Sequence, residues 1–519
     1  MKTDVQSVEE LREIVLTQAT RITELEALVK YFEELFRLSK HRQFGASSEK
    51  SEYNQLGLFN EAEATADDKI PEPDLIEVET HKRGKRTRLV TDKLPDDLPV
   101  EEVFYDLPES DRDCPECSSD MHVMGRRTAR RELKIIPAKV SIVEHIQLVY
   151  ACRRCEKDEA GVPVMKAEIC EPVIKGSFAA PETIAHIMTQ KFVMGTPLYR
   201  QEQDWNRNGI MISRQTMSNW LLKATEIWLE PIYEQLKVIL LGRDVLHADE
   251  TTLQVLRELG KPAQSKSYMW LYRSGGDDSN PIVLFEYQPD RKASRPADFL
   301  KNFKGYLHAD GYDGYHKLPD KIIVVGCWAH ARRKFDEALK SLPVKDRDGS
   351  SAFIGKRYCD KLFKTEESYA SLTSEDRHKH RLKYSKPVLD ELYAWAEALK
   401  PLPKSGIGKA IHYLLSQRKY LERFLMDGRL DISNNRAENS IRPFTIGRKN
   451  FLFANTPRGA KASAIMYSLI ETAKANGLNP FKYLTFIFTH APQLDINNDI
   501  EGLKLFLPAA VPKSLKARN

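Results

Sequence analysis

Residues 242–342 constrain the fold most strongly, because short apolar runs and helical segments alternate there in a definite order. The runs "DVLHAD", "SYMWLYRS" and "PIVLFEY" predict three successive strands. A helix "KASRPADFLKNF", a strand "GYLHAD", a strand "KIIVVGC" and a helix "WAHARRKFDEALKSL" are predicted to follow. The order predicts a sheet in which three consecutive strands are followed by strands joined through helical connections.

This order is that of the ribonuclease H fold, in which the first and fourth strands are neighbours. Both strands carry His-Ala-Asp, in "LHADET" and "LHADGYDGY", so we expect Asp249 and Asp310 to point into one space. Adjacent carboxylates repel unless a cation lies between them, and oxygen ligands suit Mg²⁺ or Mn²⁺. Taken singly, each aspartate is more typical of a turn at a strand end; together they favour a metal site. Glu250 is expected to face the other side of the strand and to be dispensable for metal binding.

A third carboxylate is expected from a later helix, and Glu438 in "DISNNRAENSIRPF" is the candidate. Asn434 or Asn435 can cap that helix, which places Glu438 one turn in. Arg442, four residues further on, could steady the Glu438 carboxylate or hold a phosphate. Three such carboxylates can hold two ions that clamp a scissile phosphate. The alternative is that Glu438 is a surface acid of the helix.

Four of the seven cysteines form two CxxC pairs, "CPEC" and "CRRC". Each pair lets two sulfurs reach one ion, and four thiolates close a tetrahedral Zn²⁺ shell. The predicted zinc ligands of this ribbon are Cys114, Cys117, Cys152 and Cys155. A redox-active pair is the alternative. The remaining cysteines, Cys170, Cys327 and Cys359, have no such partners and are predicted to be small buried residues.

The chain is predicted to be a multidomain α+β protein. Its N-terminal heptad pattern favours a short coiled coil that multimerises, with a single packed helix as the alternative. A Gly-containing turn and a Ser-capped helix after Pro181 are typical of a helix-turn-helix, or of an ordinary helical hairpin. The predicted segments are a coiled-coil helix (1–40), a linker (41–95), the zinc ribbon (96–175), the helix-turn-helix-like region (176–241), the first part of the ribonuclease H-like core (242–335), a helical insertion (336–430), the core helix with the third carboxylate (431–458) and a C-terminal helical element with a tail (459–519).

The net charge of +5 is too small to identify a polyanionic partner. Basic and polar side chains are instead concentrated in particular motifs, where they could contact DNA phosphates or bases. In each case a solvated surface is the alternative. The candidate DNA contacts are Arg126, Arg127, Arg130, Arg131, Arg214, Gln215, Asn219, Arg332, Arg333, Arg442, Arg448 and Lys449.

No apolar run approaches the roughly 20 residues that span a bilayer. The N-terminus has early acidic residues and helical periodicity, which are not typical of a secretory signal. We therefore expect no membrane partner and a cytoplasmic, nucleoid-associated location.

Taken in order, the motifs resemble those of the DDE transposases of the bacterial insertion sequence 66 family. The resemblance covers nearly the whole chain and includes "FGASSEKS", "HKRGKR", the two CxxC pairs, "ADETTLQV", "HADGYDGY", "GCWAHARRKF", "SNNRAENSIRPFTIGRKNFLFA" and "YSLIETAKANGLNPFKYL".

The resemblance implies a zinc-finger-like DNA-binding region and a ribonuclease H-type core that cleaves and joins DNA strands. Its catalytic trio would be Asp249, Asp310 and Glu438, with Mg²⁺ or Mn²⁺, and structural Zn²⁺ would bind the four CxxC cysteines. The expected partners are double-stranded DNA at the element ends and target, a second copy of the chain, and accessory proteins of the same element. The alternatives are a non-catalytic DNA-binding protein derived from a mobile element and a nuclease that cuts without joining.

Overall fold

The protein is described by a computed structural model that covers residues 15–22, 25–26, 29, 32–33, 140–151, 164–166, 169–276, 279–494 and 499–517. It divides into two compact units, of which one comprises residues 1–45 and 168–519 and the other residues 46–167. Two groups of predicted residues lie outside the described parts of the chain. They are the zinc ligands Cys114, Cys117, Cys152 and Cys155, and the DNA contacts Arg126, Arg127, Arg130 and Arg131.

The smaller unit contains a short antiparallel pair of strands, β1 (Val149–Ala151) and β2 (Val164–Lys166). Ala151 pairs with Val164, so the segment that joins the two strands is the one that carries "CRRC" in the sequence.

The larger unit is built around a five-stranded mixed sheet, and each of the five strands predicted between residues 242 and 342 is present. The strands are β3 (Val245–Gln254), β4 (Lys266–Ser274), β5 (Val283–Gln288), β6 (Gly305–His308) and β7 (Ile322–Val325). Their order across the sheet is β5-β4-β3-β6-β7. β3, β4 and β5 are antiparallel, whereas β6 is parallel to both β3 and β7. β3 and β6, which are the first and fourth strands of this sheet along the chain, are therefore neighbours, as the sequence predicted.

Helices surround this sheet. Before it come α1 (Pro181–Phe192), α2 (Leu198–Arg207), α3 (Arg214–Ala224) and, after a π-helical turn at Thr225–Leu229, α4 (Glu230–Leu241). Within the sheet and the segment after it come α5 (Ser294–Phe299), α6 (Asp313–His316), α7 (Trp328–Ser341), α8 (Ser351–Ser368), α9 (Ser374–His380), α10 (Lys386–Ala398), α11 (Gly406–Ser416) and α12 (Arg418–Leu421). The last are α13 (Asn435–Phe451), α14 (Pro457–Ala475), α15 (Pro480–His490) and α16 (Ile500–Lys504).

Side chains from helical segments form hydrogen bonds with both outer strands of the sheet. On β5, the backbone N–H groups of Phe285 and Val283 donate to Ser468 Oγ at 2.7 Å and Thr472 Oγ1 at 3.0 Å. The two hydroxyls lie four residues apart on α14 and therefore share one helix face. On β7, Arg423 donates to the Val324 carbonyl at 2.7 Å.

One hydrophobic cluster contains apolar side chains from α7, α8, α10 and α11, including Phe335, Leu362, Leu392 and Leu414, together with Val245 of β3 and Val325 of β7. A second cluster joins α1, α3 and α4 to the sheet, α14 and α15. The helices between β7 and α13 thus pack on one another and on the sheet.

The described N-terminal residues are helical and exposed. Their apolar side chains Leu16, Ile22, Leu25, Val29 and Phe32 are each between 47% and 73% accessible. An apolar helix that remains this accessible in a single chain is typical of a surface that pairs with another helix. Among the described helices, none combines the length and apolar character that crossing a bilayer requires.

Candidate active site

Asp249 and Asp310 lie past the same end of the parallel pairing between β3 and β6. The parallel pairing of β3 with β6 ends at His247 and His308, and each aspartate follows two residues later. One expectation was wrong: Asp249 does not end its strand, because the antiparallel ladder with β4 continues to the pair Gln254–Lys266. Asp249 instead lies where β3 has lost β6 as a neighbour but still pairs with β4.

Glu438 approaches the two aspartates from α13. The helix begins after the N-cap Asn434, so Glu438 lies in its first turn, as predicted. Burial and then the charge of Glu250 raise the pKa of Asp249 well above its usual range, and the charges of Asp310 and Glu438 raise it further. The three proposed ligands therefore share one electrostatic environment.

The chemistry of this donor set fits a hard divalent cation. It offers carboxylate oxygens from Asp249, Asp310 and Glu438, which are the ligands that Mg²⁺ and Mn²⁺ prefer. Repulsion among these carboxylates adds to burial and to the charge of Glu250 in raising the pKa of Asp249, and a cation among them would relieve that repulsion. The side chains of Asp310 and Glu438 remain 27% and 25% accessible, so an ion can reach these carboxylates from solvent.

A buried network that sequence reasoning missed holds the three elements in register. The rings of His247 and His308 stack with centroids 4.4 Å apart and planes inclined by 12°. His247 Nδ1 lies 2.9 Å from Asn434 Oδ1, and Asn434 Nδ2 donates to the Ala248 carbonyl at 2.7 Å. The cap of the helix that carries Glu438 is thus fixed to the strand that carries Asp249. The repeated His-Ala-Asp was the available signal, since residues i and i+2 of a strand share a face.

Asp431 contacts both histidines of this network. Its backbone N–H donates to His308 Nε2 at 3.2 Å, and its Oδ2 lies 3.4 Å from His247 Nε2 and 2.6 Å from Arg436 Nε. Although burial opposes ionisation, the neighbouring His247 and Arg436 hold the pKa of Asp431 well below its usual range. Burial, with the charge of His247 second, lowers the pKa of His308 well below its usual range. Neutral His308 can therefore accept the hydrogen bond from Asp431.

Glu438 takes its cationic partner from α7 and not from its own helix. Arg333 lies 3.2 Å from Glu438 Oε2, and His330 Nδ1 lies 3.7 Å from Oε1. Arg333 therefore makes the contact with Glu438 that the sequence suggested for Arg442. The reason is geometric, since the first turn of α7 faces the first turn of α13 across the end of the sheet.

Glu250 is not isolated from the aspartates, contrary to the expectation that it faces away from them. Tyr315 donates to its Oε2 at 2.6 Å and Arg291 Nε donates to its Oε1 at 2.8 Å. The same guanidinium lies 4.0 Å from Asp310 Oδ2 and 3.9 Å from the centre of the Tyr312 ring. Burial and then the charge of Asp310 raise the pKa of Glu250. Arg291, which sequence reasoning missed, links Glu250 to Asp310.

The candidate DNA contacts in the core occupy different environments. Arg332 bonds Asp360 of α8, and Arg448 bonds the side chains of Thr251 and Thr252 on β3. Both guanidinium groups thus connect elements of the fold. Among the described residues no acid pairs with Arg442 or Lys449, and Lys449 is exposed.

The helix-turn-helix-like region is formed by α2, a turn and α3. Ser213 caps α3 as predicted, accepting from the Thr216 N–H at 3.1 Å. Gln215 and Asn219 are exposed along one side of α3, and Arg214 is exposed at its first turn, 3.9 Å from Glu202. These side chains are accessible to a ligand outside the chain.

Comparison with protein families matches four models along the chain. A model described as "Transposase IS66 family" matches residues 176–462, and "zinc-finger binding domain of transposase IS66" matches 111–156. "Transposase C of IS166 homeodomain" matches residues 31–103, and "IS66 C-terminal element" matches 468–504. The first model alone covers more than half of the chain.

Two similar curated proteins come from Sinorhizobium fredii. "Uncharacterized protein y4qI" is 31% identical over 423 residues, which cover 78% of this chain and 74% of that protein. "Uncharacterized protein y4jD" is 29% identical over 493 residues, which cover 92% of each. The similarity therefore extends over nearly the full length of the second relative.

Proposed function

The chain belongs to the IS66 family of transposases, and on that premise we propose that it binds the terminal inverted repeats of its element and catalyses phosphodiester cleavage and strand transfer. The observation that carries this proposal is the position of Asp249 and Asp310, each two residues past the last parallel pair of β3 and β6. The charges of Asp310 and Glu438 also add, after burial and Glu250, to the raised pKa of Asp249. Isolated surface acids would not raise one another's pKa in this way.

A ribonuclease H-like core is part of the proposal. It is supported by the strand order β5-β4-β3-β6-β7, with three antiparallel strands followed by two parallel ones. In open sheets with parallel strands, ligands bind beyond the carboxyl ends of those strands. Asp310 lies beyond that end of β6, and Asp249 lies two residues past the last residue of β3 that pairs with β6.

In this proposal Asp249, Asp310 and Glu438 would hold two Mg²⁺ or Mn²⁺ ions, which would supply activation of the attacking oxygen and stabilisation of the leaving oxygen. The protein orients these ligands before substrate arrives. The Glu250 N–H donates to Asp249 Oδ1 at 2.8 Å, and the Tyr312 N–H donates to Asp310 Oδ1 at 3.0 Å. Arg333 holds Glu438 through Oε2. Each carboxylate therefore keeps one fixed oxygen and one oxygen that remains for another partner.

DNA binding is assigned to separate parts of the chain. The CxxC cysteines would hold structural Zn²⁺, and the exposed side of α3 would contact the duplex through Arg214, Gln215 and Asn219. The accessible apolar N-terminal helix would pair with a second copy, which brings two element ends together.

The proposal is tested by cleavage and joining of element-end DNA in Mg²⁺. We expect Asp249→Asn, Asp310→Asn and Glu438→Gln each to abolish both products. The matched control is Asp313→Asn in the same "DGYDGY" motif, because Asp313 is exposed and pairs with Lys317; it should retain activity. Normal cleavage by any of the three variants would remove that residue from the proposed trio.

Two further results would change the assignment. Cleavage without joined product would identify a nuclease that does not transfer strands. Absence of cleavage alongside specific end binding would identify a DNA-binding protein. Zinc content tests the ribbon separately, since Cys114→Ser and Cys152→Ser should each lower the amount of bound zinc. An unchanged zinc content would contradict the proposed zinc ribbon.

A further inference from the structure

A second group of potential metal ligands lies beside the carboxylate trio. One ligand atom from each of Cys327, His330 and Glu438 lies within 4.8 Å of the other two. Cys327 is the N-cap of α7 and His330 lies in its first turn, while Glu438 lies in the first turn of α13. Two helix starts therefore bring a sulfur, an imidazole and a carboxylate to one point.

Two atoms of this group are buried without a hydrogen-bond partner in the described parts of the chain. They are His330 Nδ1 and Glu438 Oε1, which lie 3.7 Å apart. Arg333 occupies the other oxygen, Oε2. Buried polar atoms without hydrogen bonds are unfavourable, so a ligand between these two would be favoured.

The sulfur is held in place by the backbone. Cys327 is fully buried, and the Asn434 N–H donates to its Sγ at 3.1 Å. Cys327 is therefore fixed to the cap of α13, close to Glu438 on the same helix. The side chains of His330 and Glu438 are 24% and 25% accessible, which gives an ion a route from solvent.

We propose that Cys327, His330 and Glu438 form a binding site for one thiophilic divalent cation of the Zn²⁺ class. Sulfur and imidazole ligands select Zn²⁺ over Mg²⁺, which binds oxygen almost exclusively. Binding forms a metal–sulfur bond and releases the thiol proton to solvent. Three protein ligands leave the fourth tetrahedral position open, so this site is unlike the closed four-thiolate site expected of the ribbon.

The site has a functional consequence that rests on the proposed transposase activity. Glu438 belongs both to this group and to the carboxylate trio. A Zn²⁺ ion that holds Glu438 beside Cys327 withholds it from Mg²⁺. Zinc at this site therefore inhibits DNA cleavage in Mg²⁺, and it inhibits cleavage less effectively when Cys327 is absent.

Direct metal binding is the primary test. The full chain is stripped of metal and titrated with Co²⁺, whose visible spectrum reports thiolate ligands, and then with Zn²⁺. We expect one more bound equivalent in the wild type than in Cys327→Ser. His330→Gln should lower the affinity for that equivalent by about a hundredfold or more, since even substitutions of residues that only support the ligands lower metal affinity about 10–100-fold.

Cys359→Ser is the matched control, because Cys359 is also fully buried but lies in the helical cluster of α8. It should keep the extra equivalent. Cys114→Ser should lose a different equivalent, which separates the ribbon from this site. Equal Co²⁺ uptake by the wild type and Cys327→Ser would overturn the proposal, as would full retention of the equivalent by His330→Gln.

Measurement of DNA cleavage distinguishes the proposed metal site from the proposed transposase function. If the element-end DNA is never cleaved but Cys327 still determines one Co²⁺ equivalent, the metal site stands and the proposed function fails. If cleavage occurs and zinc inhibits the wild type and Cys327→Ser equally, the shared use of Glu438 is wrong.

Discussion

His247 and His308 stack face to face at 4.4 Å, and each precedes one of the two aspartates by two residues on adjacent parallel strands. Alternate residues of a strand share a face, so the stacked rings lie beneath Asp249 and Asp310. Asn434 joins this pair to the start of α13. One set of buried contacts therefore fixes the relative positions of all three proposed ligands.

Asn434→Ala should lower DNA cleavage by about 10–100-fold, because a shift of roughly 1 Å in a catalytic group costs about that much. It should also lower the free energy of unfolding by about 1–3 kcal/mol, since two buried hydrogen bonds are lost. Steady-state cleavage and urea denaturation measure the two effects. Asn476→Ala is the control: its amide donates to the Pro281 carbonyl at 2.8 Å, away from the site. A similar loss of activity in both variants would show that the effect is only one of stability.

Asp249→Asn should stabilise the metal-free protein near neutral pH, by about 0.5–2 kcal/mol. The folded-state pKa of Asp249 lies above its unfolded value, so this group costs stability increasingly as the pH rises above the unfolded value toward the folded one. Thermal unfolding with and without Mg²⁺ measures the change. Mg²⁺ should stabilise the wild type but not the variant. Glu226→Gln should instead lower the free energy of unfolding, because Arg458 lowers the pKa of Glu226 and the substitution removes that ion pair. A less stable Asp249→Asn protein would contradict the prediction.

Arg291→Gln should destabilise the protein by about 1–3 kcal/mol, because it leaves Glu250 buried without its cation. The double variant with Glu250→Gln should recover part of that loss, and chemical denaturation of the four proteins completes the cycle. Mg²⁺ binding by the double variant, measured by calorimetry, should stay close to that of the wild type, since Asp249 and Asp310 are intact. A double variant as unstable as the sum of the single variants would show that the two side chains are not coupled.

Lys191→Met should raise stability at pH 7 by about 1 kcal/mol. Burial lowers the pKa of Lys191 to about 8, and the side chain lies 5.5 Å from the centre of the Phe451 ring. Its charged form therefore costs stability below about pH 8, and the cost fades as the pH rises toward the unfolded value of about 10.4. Stability measured from pH 7 to 10 should rise in the wild type relative to the variant. The exposed Lys223→Met is the control and should leave this profile unchanged.

Replacing both hydroxyls that bind β5, as Ser468→Ala with Thr472→Val, should cost about 2–4 kcal/mol, because two buried backbone donors lose their acceptors. Denaturant titration measures the loss. Ser463→Ala on the same helix removes a hydroxyl that bonds only Gly459 of its own helix, so it should change stability by less than about 0.5 kcal/mol. Equal losses would show that the contact with β5 is not what stabilises α14.

The sheet and the approach of Asp249 to Asp310 could be predicted from sequence, because apolar periodicity determines strands and strand order determines neighbours. Glu438 could be placed one turn into α13 from its cap. The side-chain partners could not be predicted. Arg442 lies at the helical spacing that favours pairing with Glu438, yet Arg333 from another helix makes the contact. Arg291 and the stacked histidines likewise depend on packing between elements that are distant in sequence.

The length of β3 could not be predicted for a related reason. The sequence suggests a strand that stops at Asp249, but the pairing with β4 extends it to Gln254. A strand ends where its last neighbour ends, and the sequence of one strand does not show that neighbour. The zinc ribbon stays a prediction from spacing and from the family match at residues 111–156.

The contacts of Ser468 and Thr472 with β5, and of Arg423 with β7, limit how this protein can assemble. An open edge would accept a strand from another chain, as in domain swapping or fibril growth. Here the Val283 and Phe285 N–H groups and the Val324 carbonyl already have intramolecular partners, so a second copy gains less by adding a strand at these positions.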